Sequence, residues 1–223
     1  MLKKLFIIIK NLFIRPTPKV VTNINKPNPK KETIAFVIGH NVDAQGAEFK
    51  HGNYTYSEYE FYKRFLNRYL LPLLDFKAHI IERPTGSYSH QCNSVAKKCF
   101  DLGVTKSFNF HFNSANHRAN GFEALVLEKT TSEMLQVVQE LSSEFKSFGL
   151  NVRHDNGINR IDSNHNGYGM LSALSSSYVD AIILEPFFGS NQNDIDLVLS
   201  NMSGFAQCFA NVFNNHFAEK NDG

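Results

Sequence analysis

The sequence predicts a three-layer α/β sandwich, a single domain in which helices flank a mostly parallel central sheet. Two observations lead to this prediction. Short apolar runs typical of buried strands alternate along the chain with longer segments of helical periodicity. The length of 223 residues, with 42% hydrophobic and 20% charged residues, suits one globular domain with a short extension.

The predicted elements follow one another from residue 33 to residue 217. Strands are expected at residues 33–39, 77–82, 107–113, 121–128 and 180–186. Helices are expected at residues 57–74, 89–101, 131–148 and 194–217. Because strands and helices alternate, most neighbouring strands should be parallel and joined by helical crossovers.

The first 32 residues differ from the rest in composition. Residues 1–14 are apolar and basic with an amphipathic helical pattern. This pattern fits a helix lying on an anionic membrane surface, a degenerate signal or signal-anchor, or a disordered tail. Residues 15–32 contain four of the seven prolines and are typical of a linker. The folded domain is therefore expected at residues 33–220.

The net charge of +2 is unevenly distributed. Residues 1–31 contain eight basic residues and no acidic ones, so the remainder carries a net charge of −6. A mildly acidic domain argues against nucleic-acid binding, which concentrates lysine and arginine on the folded surface. The three cysteines (Cys92, Cys99 and Cys208) form no CxxC pair and no disulfide framework, and the seven-residue spacing of Cys92 and Cys99 predicts that these two are buried.

Polar side chains stand where several of the predicted strands end. In open α/β sheets, ligands bind beyond the carboxyl ends of the strands. We therefore expect one edge of the sheet to bring together two imidazoles, two carboxylates and a guanidinium. These belong to His40, Glu82, Arg83, His111 and Glu185.

A further carboxylate is expected from the start of the helix at residues 57–74. Ser57 and Glu60 have the spacing of a capping box, which gives Glu60 a structural role. Glu58 instead shares a helix face with Phe61 and Phe65 and should point inward. Two histidines and Glu58 would leave a fourth tetrahedral position open, as in a catalytic zinc site.

Glu185 is the predicted general base. It ends an apolar strand, where a charged group without a function would be costly to desolvate. Hydrolysis by zinc-activated water needs a carboxylate outside the metal shell to accept and return a proton. The alternative interpretation of Glu185 is an ion pair with a basic neighbour such as Arg83.

Four segments, taken in order, resemble the zinc-dependent N-acetylmuramoyl-L-alanine amidases, which are peptidoglycan hydrolases of bacterial cell walls and phage lysis. The segments are IAFVIGHNVDAQGA, SEYEF, SFNFHFNSA with the following Gly121, and ILEPFFGSNQND with Asp194. The resemblance extends over roughly residues 33–215. The chain departs from the family pattern at Asn41, where glycine is usual, and at Phe187-Phe188, where glycine often precedes the phenylalanine.

The resemblance implies one zinc ion per chain, bound by His40, Glu58 and His111, with Glu185 as the catalytic base. The expected substrate is the amide between N-acetylmuramic acid and L-alanine in peptidoglycan. We also expect substrate contacts from three residues of the same edge and of the polar loop SNHNGYG, namely Arg83, Asn113 and His165.

The expected location is the cell envelope, the periplasm or the cell wall after secretion, and residues 1–14 would supply any contact with an anionic membrane. Two alternatives stay open. One is a zinc peptidase or deacylase acting on another amide, and the other is a catalytically silent wall-binding module. The sequence leaves open the peptidoglycan chemotype, a phage or bacterial origin, and the oligomeric state.

Overall fold

A computed structural model of the chain describes residues 32–218. The predicted membrane or targeting segment and all but the last residue of the predicted linker lie outside the described residues. Glu32, the first described residue, already contacts the rest of the domain. Its carboxylate lies 3.0 Å from Nζ of Lys106. Within residues 32–218, no helix combines the length and apolarity needed to cross a bilayer.

Eight strands form a six-stranded sheet and a separate hairpin. They are β1 (Ile34–Ile38), β2 (Glu48–His51), β3 (Tyr54–Ser57), β4 (Ala78–Glu82), β5 (Lys106–Phe110), β6 (Glu123–Val126), β7 (Ile158–Arg160) and β8 (Asp180–Glu185). The sheet order is β4-β1-β5-β8-β6-β7, and β2 pairs with β3. Only the β6–β8 pairing of the sheet is antiparallel, which confirms the predicted mostly parallel sheet.

Helices cover both faces of this sheet, as predicted. They are α1 (Glu58–Phe65), α2 (Tyr88–Asp101), α3 (Ser132–Phe148), α4 (Tyr168–Ser176), α5 (Gln192–Ser200) and α6 (Met202–Phe217). The side of α1, α3 and α6 holds a phenylalanine-rich core that includes Phe36, whereas α2 and α4 pack on the opposite side, which includes Val37. Cys92 and Cys99 are buried, as expected; Cys208 is also buried, and all three are free.

Two of the predicted helices are not continuous α-helices over their predicted lengths. The α-helical part of residues 57–74 ends at Phe65 and continues as a π-helical turn (Leu66–Leu70) and a 3-10 turn (Leu71–Leu73). Pro72 lies in that last turn and lacks the N–H that a regular helix needs. The segment 194–217 is two helices, because Asn201 ends α5 and caps α6 by accepting a hydrogen bond from the amide of Gly204.

The strands near the site also differ from the prediction. The third predicted strand ends at Phe110, so His111 follows β5. The β2–β3 hairpin, β7 and α4 had not been predicted. Only half of the expected capping box is present among the described hydrogen bonds, from the amide of Glu60 to the hydroxyl of Ser57 at 3.3 Å.

Candidate active site

His40, Glu58 and His111 come together at the carboxyl edge of the sheet. Nε2 of His40 lies 3.0 Å from Oε2 of Glu58, and Nδ1 of His111 lies 3.2 Å from Oε1 of the same carboxylate. One ligand atom from each of the three residues lies within 4.8 Å of the others. The carboxylate thus bridges the two imidazoles, and all three groups are able to face a single ion.

Glycines let the backbone approach this cluster closely. A Cβ atom on Gly39 would lie 2.4 Å from the carbonyl oxygen of Phe110 and 2.6 Å from the ring of His111. Gly46 has a φ of +83°, and a Cβ there would lie 2.4 Å from Oε2 of Glu58. Side chains at these positions would therefore occupy the space that the triad uses.

Glu58 opens α1 and is only 4% exposed. The amide of Ala47 donates to Oε2 at 2.8 Å, and the amide of Phe112 donates to Oε1 at 3.1 Å. Burial alone would raise the pKa of Glu58, but hydrogen bonds with the rings of His111 and His40 outweigh burial and lower the pKa to about 2. The carboxylate is thus ionised at neutral pH, as a metal ligand must be.

The three residues fit a zinc ion. Two imidazoles and one carboxylate are a common donor set of catalytic zinc sites. Ligands at about 2.0–2.2 Å from a tetrahedral zinc lie roughly 3.3–3.6 Å apart, and one ligand atom from each of the three residues lies within 4.8 Å of the other two, so small side-chain movements would bring them to an ion. Burial lowers the pKa of His111, which keeps its ring neutral and able to coordinate.

Replacement of Gly46 by alanine is expected to weaken zinc binding more than about tenfold, because the new methyl group must displace the Glu58 carboxylate. The matched control is Gly52→Ala in the β2–β3 turn, where φ is +58° and a Cβ meets no atom within 4 Å. That variant should lose about 1 kcal/mol of stability and keep its zinc affinity. Competition with a chelating dye measures both affinities. Equal losses in the two variants would mean that backbone strain, rather than contact with Glu58, is responsible.

Glu185 ends β8 at the same edge, where Nδ2 of Asn113 donates to its Oε2 at 2.7 Å. Burial raises the pKa of Glu185 to about 8, and the negative charges of Glu123 and Glu58 act in the same direction. A carboxyl group with such a pKa is mostly protonated at neutral pH, and its ionised fraction is a stronger base than an exposed carboxylate. The alternative interpretation of Glu185, an ion pair with Arg83, is not among the salt bridges of the described residues.

A second carboxylate lies beside Glu185 and was missed in the sequence. Glu123 is 3% exposed and pairs with Glu185 across the antiparallel β6–β8 register. Its oxygens accept hydrogen bonds at 2.7 to 2.9 Å from Asn113, Arg153, His154 and Asn159. Nδ2 of Asn113 therefore donates to two carboxylates, and both of its hydrogens are used within the protein.

A cavity of about 820 Å³ follows this edge of the sheet. Six of the predicted site residues line it, namely His40, Arg83, His111, Asn113, His165 and Glu185. Glu82 was expected to belong to the same group of side chains, and this prediction is wrong. Its carboxylate accepts a hydrogen bond from the Tyr59 hydroxyl and lies 3.2 Å from Nζ of Lys63, because its side chain turns towards α1.

The positions that depart from the amidase pattern shape the surroundings of the site. Asn41 accepts hydrogen bonds from the amides of Asp43 and Ala44 and so stabilises the turn that leads to Gly46. Phe188 packs its ring 5.0 Å from the guanidinium of Arg153 and lines the cavity. Neither residue belongs to the triad.

Comparisons with known proteins give matches among solved structures. No protein-family model and no curated protein matches the chain. The N-acetylmuramoyl-L-alanine amidase from Clostridium difficile 630 is 17% identical, with coverage of 85% of this chain and 98% of that one and a TM-score of 0.62. The N-acetylmuramyl-L-alanine amidase from Mycobacterium smegmatis is 12% identical, with coverage of 85% and 99% and a TM-score of 0.62.

The catalytic domain of an endolysin targeting Clostridia difficile is 18% identical to the chain. The match covers 82% of this chain and 97% of that one, with a TM-score of 0.57. At such identities the likeness is one of fold. The chain has the fold of the N-acetylmuramoyl-L-alanine amidases, which confirms the fold that the sequence resemblance implied.

Proposed function

We propose that the chain is a zinc-dependent amidase that cleaves the bond between N-acetylmuramic acid and L-alanine in peptidoglycan. The observation that carries the proposal is the cluster of His40, Glu58 and His111 at 3.0 and 3.2 Å, with the half-buried Glu185 lining the same cavity as the two imidazoles. A fold alone would not define an activity. The residues at this edge of the sheet add a metal-ligand set and a separate proton carrier.

Zinc held by the triad would supply a Lewis acid that polarises the scissile carbonyl and lowers the pKa of water. Glu185 accepts a proton from the water that attacks the carbonyl carbon. It then gives this proton to the nitrogen of the departing amine as the C–N bond breaks. Among the described residues only its Oε2 has a hydrogen-bond partner, so Oε1 is the oxygen that can exchange a proton in the cavity.

Asn113 has a positioning role in this proposal. The sequence suggested that it contacts substrate, but its amide hydrogens are donated to Glu123 and Glu185. The Glu123 cluster fixes Asn113, and Asn113 in turn orients the carboxylate of Glu185. Arg83 and His165 line the cavity and are proposed as substrate contacts.

Incubation of the full chain with purified, insoluble sacculi tests the proposed activity. A hydrolase loaded with zinc releases the stem peptides into solution, and the release stops when zinc is removed with a chelator. A wall-binding module instead sediments with sacculi that remain chemically intact. Binding without any released peptide would contradict the proposal.

We also infer that the protein acts at the cell wall and that residues 1–14 bind anionic membranes. The support is their content of basic and apolar residues, since basic segments bind anionic lipids. A chain shortened to begin at Glu32 should keep its activity on soluble peptidoglycan fragments and lose binding to anionic vesicles. Salt should weaken the vesicle binding of the full chain. Equal vesicle binding by both chains would contradict the inference.

A further inference from the structure

Arg83 lines the candidate active site, and none of the carboxylates of residues 32–218 forms a salt bridge with it. Its Nε is buried without a hydrogen-bond partner among the described residues. Among the described residues its one hydrogen bond runs from Nη2 to Oε1 of Gln91, at 2.8 Å. Arg83 is half-buried, and removing part of an unpaired charge from water is costly, so its position beside a cavity indicates a ligand.

The other buried or cavity-lining cations of the described domain have acidic partners. Nζ of Lys106 lies 3.0 Å from both Glu32 and Glu133. Nε of Arg153, on the other side of the cavity, lies 2.9 Å from Glu123. Arg83 differs from these cations because it forms no salt bridge within the described domain. An anion that pairs with it would have to come from outside this domain.

The neighbours of Arg83 hold its guanidinium in one place. Gln91 is itself fixed, because its Nε2 donates to the carbonyl of Gly86 at 2.8 Å. The guanidinium carbon lies 5.5 Å from the centre of the Tyr88 ring, and the Tyr88 hydroxyl donates to the carbonyl of Asn166 at 2.8 Å. A planar group oriented in this way can bind a carboxylate through two hydrogen bonds.

Arg83 is also close to the triad. It follows Glu82, the last residue of β4, which pairs with Ile38 at the end of β1, two residues before His40. Arg83, His40 and His111 line the same cavity. A ligand bound to Arg83 would therefore share this cavity with the reacting amide.

We propose that Arg83 binds a free carboxylate in the peptide part of the substrate. This inference rests on the proposed function and adds which chemical group of the substrate the site recognises. In the proposed substrate the lactyl carboxyl of muramic acid is consumed in the scissile amide, so every free carboxylate belongs to the peptide. The first available one is the α-carboxylate of a D-glutamate that follows L-alanine.

The test measures binding without turnover in the full chain carrying Glu185→Gln and loaded with zinc. The two probes are N-acetylmuramoyl-L-alanyl-D-glutamate with its γ-carboxyl group capped as a methylamide and the equally capped D-isoglutamine counterpart, which has a carboxamide in place of the α-carboxylate. Calorimetry should give about tenfold or tighter binding of the carboxylate probe, as expected for a hydrogen-bonded charge pair. Equal affinities would overturn the inference without any further variant.

Substitution of Arg83 tests whether this residue causes the preference for the carboxylate probe. When Arg83→Gln is added to this variant, the two probes should bind with about equal affinity, mainly because the carboxylate probe binds more weakly. Arg83→Lys should keep part of it, since lysine retains the charge without the planar fork. Arg68→Gln, at an exposed position, should leave it unchanged. An undiminished preference in Arg83→Gln would also overturn the inference. Failure of the proposed function is recognised separately, as absence of hydrolysis of sacculi by the unmodified chain.

Discussion

Replacement of Glu185 by glutamine is expected to lower the turnover of peptidoglycan about a hundred- to ten-thousand-fold, while zinc content and substrate binding remain. Glutamine keeps the volume of the side chain and removes its capacity to accept a proton. The hydrogen bond from Asn113 to Oε2 can persist with the amide oxygen of glutamine, so the geometry should survive. Initial rates with soluble fragments and metal analysis of the same samples measure both quantities.

The control for this variant is Glu128→Gln, because the side chain of Glu128 is 90% exposed and far more accessible than that of Glu185. It should leave the turnover unchanged. Loss of zinc in Glu185→Gln would make Glu185 a metal ligand and reopen the role of Glu58. Unchanged turnover would remove Glu185 from the reaction.

Replacement of Glu58 by glutamine is expected to weaken zinc binding more than about a hundredfold. Changes to groups that merely support metal ligands cost about ten- to a hundredfold, so loss of a ligand charge should exceed that range. The structure adds a second penalty. Each carboxylate oxygen accepts a backbone N–H, from Ala47 or Phe112, so the NH₂ group of glutamine must face a donor.

Glu60→Gln is the matched control, two residues further along the same helix. Glu60 is exposed, and its amide rather than its side chain contacts Ser57. Zinc affinity and activity should stay close to those of the unmodified chain. Titration of metal-free protein with zinc and a competing chelator compares the two variants. A reversed pair of results would assign the ligand role to Glu60.

Much of the site could be predicted because it depends on features that sequence patterns carry. His40, His111 and Glu185 follow buried strands, and carboxyl ends of parallel strands meet at one edge. Glu58 was preferred to Glu60 from helical periodicity, and Glu58 is indeed buried whereas Glu60 is exposed. Their assignment as ligands and base stays a prediction until metal and activity are measured.

The Glu123 cluster could not be predicted because it depends on strand direction. Alternation and burial are the same for a strand running either way, and β6 runs antiparallel to β8. This reversal moves Glu123, at the start of β6, to the edge where Glu185 ends β8. A charged residue within the apolar segment FEALVL was the available signal, by the same desolvation argument that singled out Glu185.

Glu82 shows the opposite failure. Its position at the end of β4 was read correctly, but the sequence does not reveal which neighbour a side chain at an edge strand will choose. Tyr59 and Lys63 on α1 offer hydrogen-bond donors, and the carboxylate turns to them. Arg83, one residue further, lines the cavity instead.

Identification of the bond that the protein breaks tests the central claim most directly. Sacculi are digested with the zinc-loaded full chain, and the new chemical termini are identified by mass spectrometry. The proposed function predicts peptides with a free N-terminal L-alanine and glycan strands whose muramic acid carries a free lactyl carboxyl group. New termini within the peptide or between sugars, with the muramic acid–alanine amide intact, would contradict it.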